Sequence, residues 1–111
     1  MSIKPLVWVG TSLARVRDFP DGARQAAGHQ LYRVQTGSDP EDWKPMRSVG
    51  AGVIEIRVHE RGEFRVLYVA KFSEAIYVLH GFQKKTAQTR DADLGIARRN
   101  LAEIVRGRRE T

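Results

Sequence analysis

Between Val53 and Phe82 the sequence reads as three short β-favouring segments separated by turns, and on either side the apolar residues recur at every third or fourth position. This change of period limits the fold more than any other feature. From Val53 to His59, Ile54, Ile56 and Val58 alternate with Glu55, Arg57 and His59, the pattern of a half-buried strand. Glu60, Arg61 and Gly62 make a tight turn into Glu63 to Ala70. There Phe64, Val66, Tyr68 and Ala70 share one face, and Glu63, Arg65, Leu67 and Val69 the other. Lys71 to Glu74 turns again, and Ala75 to Phe82 is a third strand, so the pattern predicts an antiparallel meander.

Helical spacing brackets this meander. Leu6 to Val9 reads as a first strand ended by Gly10, and Thr11 or Ser12 is placed to cap a short helix carrying Leu13, Val16 and Phe19. Pro20 suits the first turn of a second helix, in which Ala23, Ala27, Leu31 and Val34 recur before a close near Gly37. The segment from Gly37 to Gly52 reads as a loop, or a loop holding a short strand. From Asp91, the residues Leu94, Ala97, Leu101, Ile104 and Val105 form a stripe, with Arg98, Arg99, Glu103 and Arg106 off it. The expected class is therefore α+β: an antiparallel sheet of about four strands, two N-terminal helices and one C-terminal helix.

At 111 residues the expectation is one domain over 1–111. The absence of cysteine removes disulfides, a thiolate nucleophile and cysteine-bound zinc, and is compatible with a reducing cytoplasm. The apolar runs are too short to span a bilayer and the first ten residues do not read as a signal peptide, so a cytoplasmic protein without a membrane partner is expected. The three histidines lack metal-ligand spacing, and there is no glycine-rich phosphate loop or nucleophile elbow. Neither a metal nor a nucleotide cofactor is expected. The net charge of +6 is uneven: 0 over residues 1–43, +4 over 44–85 and +2 over 86–111. A polyanion is the natural partner of such a surface.

The densest chemical feature is His80-Gly81-Phe82-Gln83-Lys84-Lys85-Thr86, where paired lysines end a strand and Gly81 admits close approach by a ligand. The plainer reading is solvated lysines protecting a sheet end, with His80 satisfied inside an apolar strand. Arg65 interrupts an otherwise apolar run, and its guanidinium must meet water, a carboxylate or a phosphate. Pairing with Glu55 across the hairpin and a ligand role carry equal weight. Arg57 shares a face with Glu55 and His59 by parity, so matched register turns Arg57 and Arg65 toward one surface near Lys84 and Lys85. Lys44 and Arg47 extend it from the preceding loop. Arg106, Arg108 and Arg109 suit the negative end of a helix dipole, while Trp8, Trp43 and Tyr77 read as core or core-edge residues.

These residues resemble the RelE/ParE toxin superfamily, in its HigB-like, phage-derived branch. The pattern runs from Trp8 and Phe19-Pro20 through Gln35-Thr36-Gly37, Lys44-Pro45-Met46 and Gly52-Val53-Ile54-Glu55-Ile56-Arg57. It sharpens at Phe64-Arg65-Val66-Leu67-Tyr68 and at Tyr77 to Thr86. Arg90 departs from it, since many relatives have proline before the final helix. The C-terminal tyrosine that some RelE-like enzymes use is also missing, so their acid/base assignment does not transfer.

The resemblance implies a type II toxin that cuts messenger RNA on the translating ribosome and is silenced by a cognate helix-turn-helix antitoxin. Metal-free cleavage by the ribose 2′-OH needs the nucleophile deprotonated, the phosphorane charge stabilised and the leaving 5′-oxygen protonated. Arg65 and Lys85 are assigned to phosphate charge and Lys84 to proton transfer, with His80 as the other base or an orienting group. Lys44, Arg47, Arg57 and Lys71 are assigned to RNA contact. On this assignment Arg65→Ala and Lys85→Ala abolish activity with little change in Tm, whereas an Arg65 buried against Glu55 destabilises the fold when removed. Two other readings stay open: a ParE-like inhibitor of gyrase that catalyses nothing, and an RNA-binding domain without chemistry.

Overall fold

The computed structural model describes residues 3–87 and 91–109, so Arg90 lies outside the described residues. The elements follow as β1 (Leu6–Trp8), α1 (Ser12–Arg17), α2 (Asp21–Gln35), β2 (Trp43–Pro45), β3 (Val53–His59), β4 (Glu63–Val69), β5 (Ile76–Lys84) and α3 (Asp91–Arg109). A five-stranded sheet runs in the order β1-β5-β4-β3-β2.

The α+β class holds, but the sheet is neither four-stranded nor wholly antiparallel. The stretch expected as a loop, or a loop holding a short strand, does hold one: β2 pairs antiparallel with β3. At the other edge β1 lies parallel to β5, Leu6 opposite Ile76 and Trp8 opposite Val78. The chain leaves β1 through α1 and α2, and a helical crossover is what permits two strands to run in the same direction. The alternating period marks a strand without naming its neighbour, so this pairing is invisible to it. Pro20 stands one residue earlier than expected, at the N-cap of α2, and Thr11 caps α1 without a side-chain hydrogen bond.

Alternation along the strands builds two apolar layers. On one face Ile56, Val58, Phe64, Val66, Tyr68, Ile76 and Val78 pack against Val16 and Phe19 of α1 and its neighbour and Ala23, Ala27, Leu31 and Val34 of α2. On the other, Val53, Leu67, Val69, Leu79 and Phe82 pack against Ala97 and Ile104 of α3. The register of β4 on β5 slips between Leu67, opposite His80, and Tyr68, opposite Val78. Leu79 is thus an extra residue, a bulge that reverses the alternation of β5 beyond it.

Several polar contacts seat α3. His80 Nε2 lies 2.7 Å from Asp93 Oδ1, Asn100 Nδ2 donates to the Leu79 carbonyl and Arg98 Nε to the Ser48 carbonyl. Near its C-terminal end Arg108 pairs with Glu74 and lies 4.1 Å from the centre of the Phe72 ring. Arg98 and Arg99 face solvent, as the stripe required. No helix among the described residues is long and apolar enough to cross a membrane.

Candidate nucleic-acid interface

Beyond the apolar patch under α3, the same face of the sheet turns polar. Rows across the strands follow from register: Lys44, Glu55, Leu67 and His80; then Arg57, Arg65 and Phe82; then His59, Glu63 and Lys84. Directly opposed residues share a face. Arg57 of β3 therefore stands beside Arg65 of β4, with Lys44 on one flanking strand and Lys84 on the other.

Glu55 sits at the centre of the group and is fully buried. Its Oε1 lies 3.6 Å from Arg57 Nε, 3.6 Å from Arg65 Nε and 4.0 Å from Lys44 Nζ. Neither carboxylate oxygen accepts a hydrogen bond from a described residue. Arg65 is 5% exposed. It donates from Nη1 to Glu63 Oε1 at 3.2 Å and to the Phe64 carbonyl at 3.0 Å. The pairing with Glu55 weighed from the sequence is thus present, and in addition the guanidinium holds Glu63. Arg57 and Lys44 are only partly buried.

Glu63 is shared, because His59 Nδ1 lies 2.8 Å from the same carboxylate. The other imidazole nitrogen, Nε2, lies 2.6 Å from Asp42 Oδ2. With a carboxylate on each nitrogen, the Asp42 contact foremost, the His59 pKa is raised. The His59 contact in turn lowers that of Glu63. His80 behaves oppositely. It is fully buried, stacked on Phe82 with ring centres 5.4 Å apart, and burial lowers its pKa against the pull of Asp93.

Among the sequence candidates, the structure gathers Lys44, Arg57, Arg65 and Lys84 onto one face. Lys85 is exposed just past the end of β5. Arg47 and Lys71 are not brought there: Arg47 lines a recess with Gly52 and Val53, and Lys71 follows the far end of β4. From Arg65 to Lys71 is about 20 Å at the rise of a strand. The bareness of Gly81 seats α1, since a Cβ on it would lie 2.7 Å from Val16 Cγ2. Trp43, read as core-edge, is 39% exposed on the edge strand.

The hub role of Glu55, the Asp42–His59–Glu63 bridge and the His80–Asp93 contact were not read from sequence. Parity places Glu55 between its cations, but the two histidine contacts join segments far apart in the chain. In chemical terms the face offers cations carried by four adjacent strands, a fixed arrangement suited to phosphate oxygens. Among the described residues no cluster of three or more acidic, histidine or cysteine side chains is arranged to hold a metal.

A search of curated proteins found no match to this chain. The family model for Gp49-like phage-derived protein matches residues 14–102, from within α1 to within α3, and so takes in every strand of the polar face. The chain belongs to this Gp49-like family of phage-derived proteins, a RelE/toxin-like family.

Proposed function

We propose that the chain is the toxin of a type II toxin–antitoxin pair, HigB-like in kind, and that it cuts messenger RNA on the translating ribosome. The observation that carries this reading is the Arg57–Arg65 pair, set side by side on one sheet face and flanked by Lys44 and Lys84. Glu55 offsets the repulsion of the two opposed guanidiniums from within the sheet, and the partly exposed Arg57 and Lys44 leave positive charge on the surface for an external anion. A phosphodiester fits, because guanidinium groups match its oxygens and lysine adds a point charge.

In the reaction the ribose 2′-oxygen loses its proton and attacks the adjacent phosphorus. The bond to the 5′-oxygen breaks, that oxygen takes a proton, and a cyclic 2′,3′-phosphate and a 5′-hydroxyl result. Arg57, Arg65 and Lys85 stabilise the charge that grows on the phosphorane, in positions set before the substrate arrives. Lys84, at the rim of the same face, is the proton-transfer partner. His80 is turned inward to Asp93, and its part is to hold the end of β5 against α3. The partner that silences the protein is a helix-turn-helix antitoxin.

The test is induced expression with mapping of RNA ends. Growth arrest with messages cut only while translation proceeds, and relieved by the antitoxin, supports this reading. Intact messages with gyrase-linked DNA breaks transfer it to an inhibitor of gyrase. Tight RNA binding with neither effect leaves a binding domain without catalysis.

A further inference from the structure

The carboxylate of Glu55 is the least expected group in the molecule. Acidic side chains are almost never fully buried unless paired, and a paired carboxylate normally takes an arginine through a two-pronged hydrogen bond. Glu55 does neither. Its Oε1 lies 3.6 Å from the two Nε atoms and 4.0 Å from Lys44 Nζ, beyond hydrogen-bond reach. The side chains of Arg57 and Lys44 are 33% and 41% exposed, so the contact with Glu55 on their inner side leaves part of each cation open to a ligand.

The placement follows from the sheet. Lys44 is directly opposite Glu55 on β2, Arg57 is two residues along the same strand, and Arg65 is diagonal to it on β4. Arg57 and Arg65 oppose each other and repel, and the one anion between them offsets that repulsion while touching only their inner edges.

We propose that Glu55 is a positioning residue, an internal anion that fixes Lys44, Arg57 and Arg65 around one point and sets where a phosphate is held. The cleavage part of this inference rests on the nuclease reading; the part concerning cation placement and anion binding does not. Glu55 itself touches no substrate. It keeps the cations close at the cost of part of their net charge, so the site binds RNA less tightly than its arginines and lysines alone would.

Glu55→Gln keeps the shape and removes the charge. Binding of a 12-nucleotide single-stranded RNA, followed by fluorescence anisotropy over a salt series, is expected to tighten. The slope of log K against log salt steepens by about 0.7, the value of one further phosphate contact on a single strand. Side-chain ¹⁵Nε resonances of Arg57 and Arg65 shift and broaden as the guanidiniums lose their common anchor. Cutting of a ribosome-bound message falls about 100-fold, the scale of misplacing reacting groups by about 1 Å. A structural role alone predicts weaker binding together with slower cutting.

Unchanged slope and unchanged Nε resonances overturn the inference, as does cutting at the wild-type rate. If the slope and resonances change as stated but the wild-type protein cuts no message, the placement of Glu55 stands and the nuclease reading falls. Glu55→Asp covers the case in which Glu55→Gln does not fold. It retains the charge and draws it back by one methylene, so the salt slope stays at the wild-type value and the Nε resonances still shift. Wild-type resonances in Glu55→Asp overturn the inference.

Discussion

At the scale of single residues, burial decides which substitutions report on function. Arg65 is clamped between Glu55 and Glu63, so Arg65→Ala removes an ion pair from the interior as well as a cation from the face. The expected loss is about 3 kcal/mol, the lower end for a broken buried pair because Lys44 and Arg57 remain beside Glu55; urea denaturation measures it. The expectation of an unchanged Tm therefore passes from Arg65 to Arg57 and Lys85. Arg57→Ala and Lys85→Ala should each lower proposed cleavage 100- to 1000-fold, roughly the effect of one lost electrostatic donor, with Tm within about 2 °C of wild type. The two perturbed histidines oppose each other. His59, with its pKa raised, contributes stability that is complete below the unfolded value near 6.5 and is lost as pH rises through the folded value. His80, with its pKa lowered, contributes stability that is complete above that value and is lost as pH falls toward the folded one. Tm measured against pH should fall on both sides of about 6.5. His59→Gln should flatten the alkaline limb alone, and His80→Gln the acid limb alone.

Among the elements, β5 contains what the sequence hid. The extents of β3 and β4 were legible because β3 alternates and β4 is a β-favouring run bounded by turns, and the faces of Glu55, Arg57 and Arg65 followed by parity. In β5 the same count fails at Leu79: the bulge carries His80, Phe82 and Lys84 to the face opposite the one that unbroken alternation from Ile76 and Val78 would give. No residue type announces a bulge within Tyr77-Val78-Leu79-His80, so the approach of Lys84 to Arg65 rested on an assumed register. Gly81 was visible as a glycine, but its reason was not, since Val16 is 65 positions away in the chain. Gly81→Ala forces Val16 and α1 outward and should cost about 1–3 kcal/mol, the range for overpacking a filled site. Equilibrium denaturation reads that loss, and a wild-type midpoint would show that α1 yields without strain.

For the whole molecule, the edge pairing of β1 joins the two ends of the fold. Leu6 to Trp8 covers β5 along Ile76 to Val78, and without it that edge is an apolar strand with open backbone groups. Deletion of residues 1–9 should therefore give a chain that elutes as oligomers in size-exclusion chromatography; a monodisperse monomer would show that α1 alone protects β5. The sequence displayed β1 as a strand and gave no sign of its direction, because a parallel contact spanning 70 positions leaves no local trace. This pairing also orders events in time. Synthesis delivers β1 first and holds it without a partner until β5 has been made, and α3, which closes the second face, comes later still. The β3–β4 hairpin with its two arginines can form early, but Lys84 and Lys85 reach their places only near the end. A growing chain thus carries the cations of the polar face before that face is assembled, and they come together only once β5 and α3 have been made.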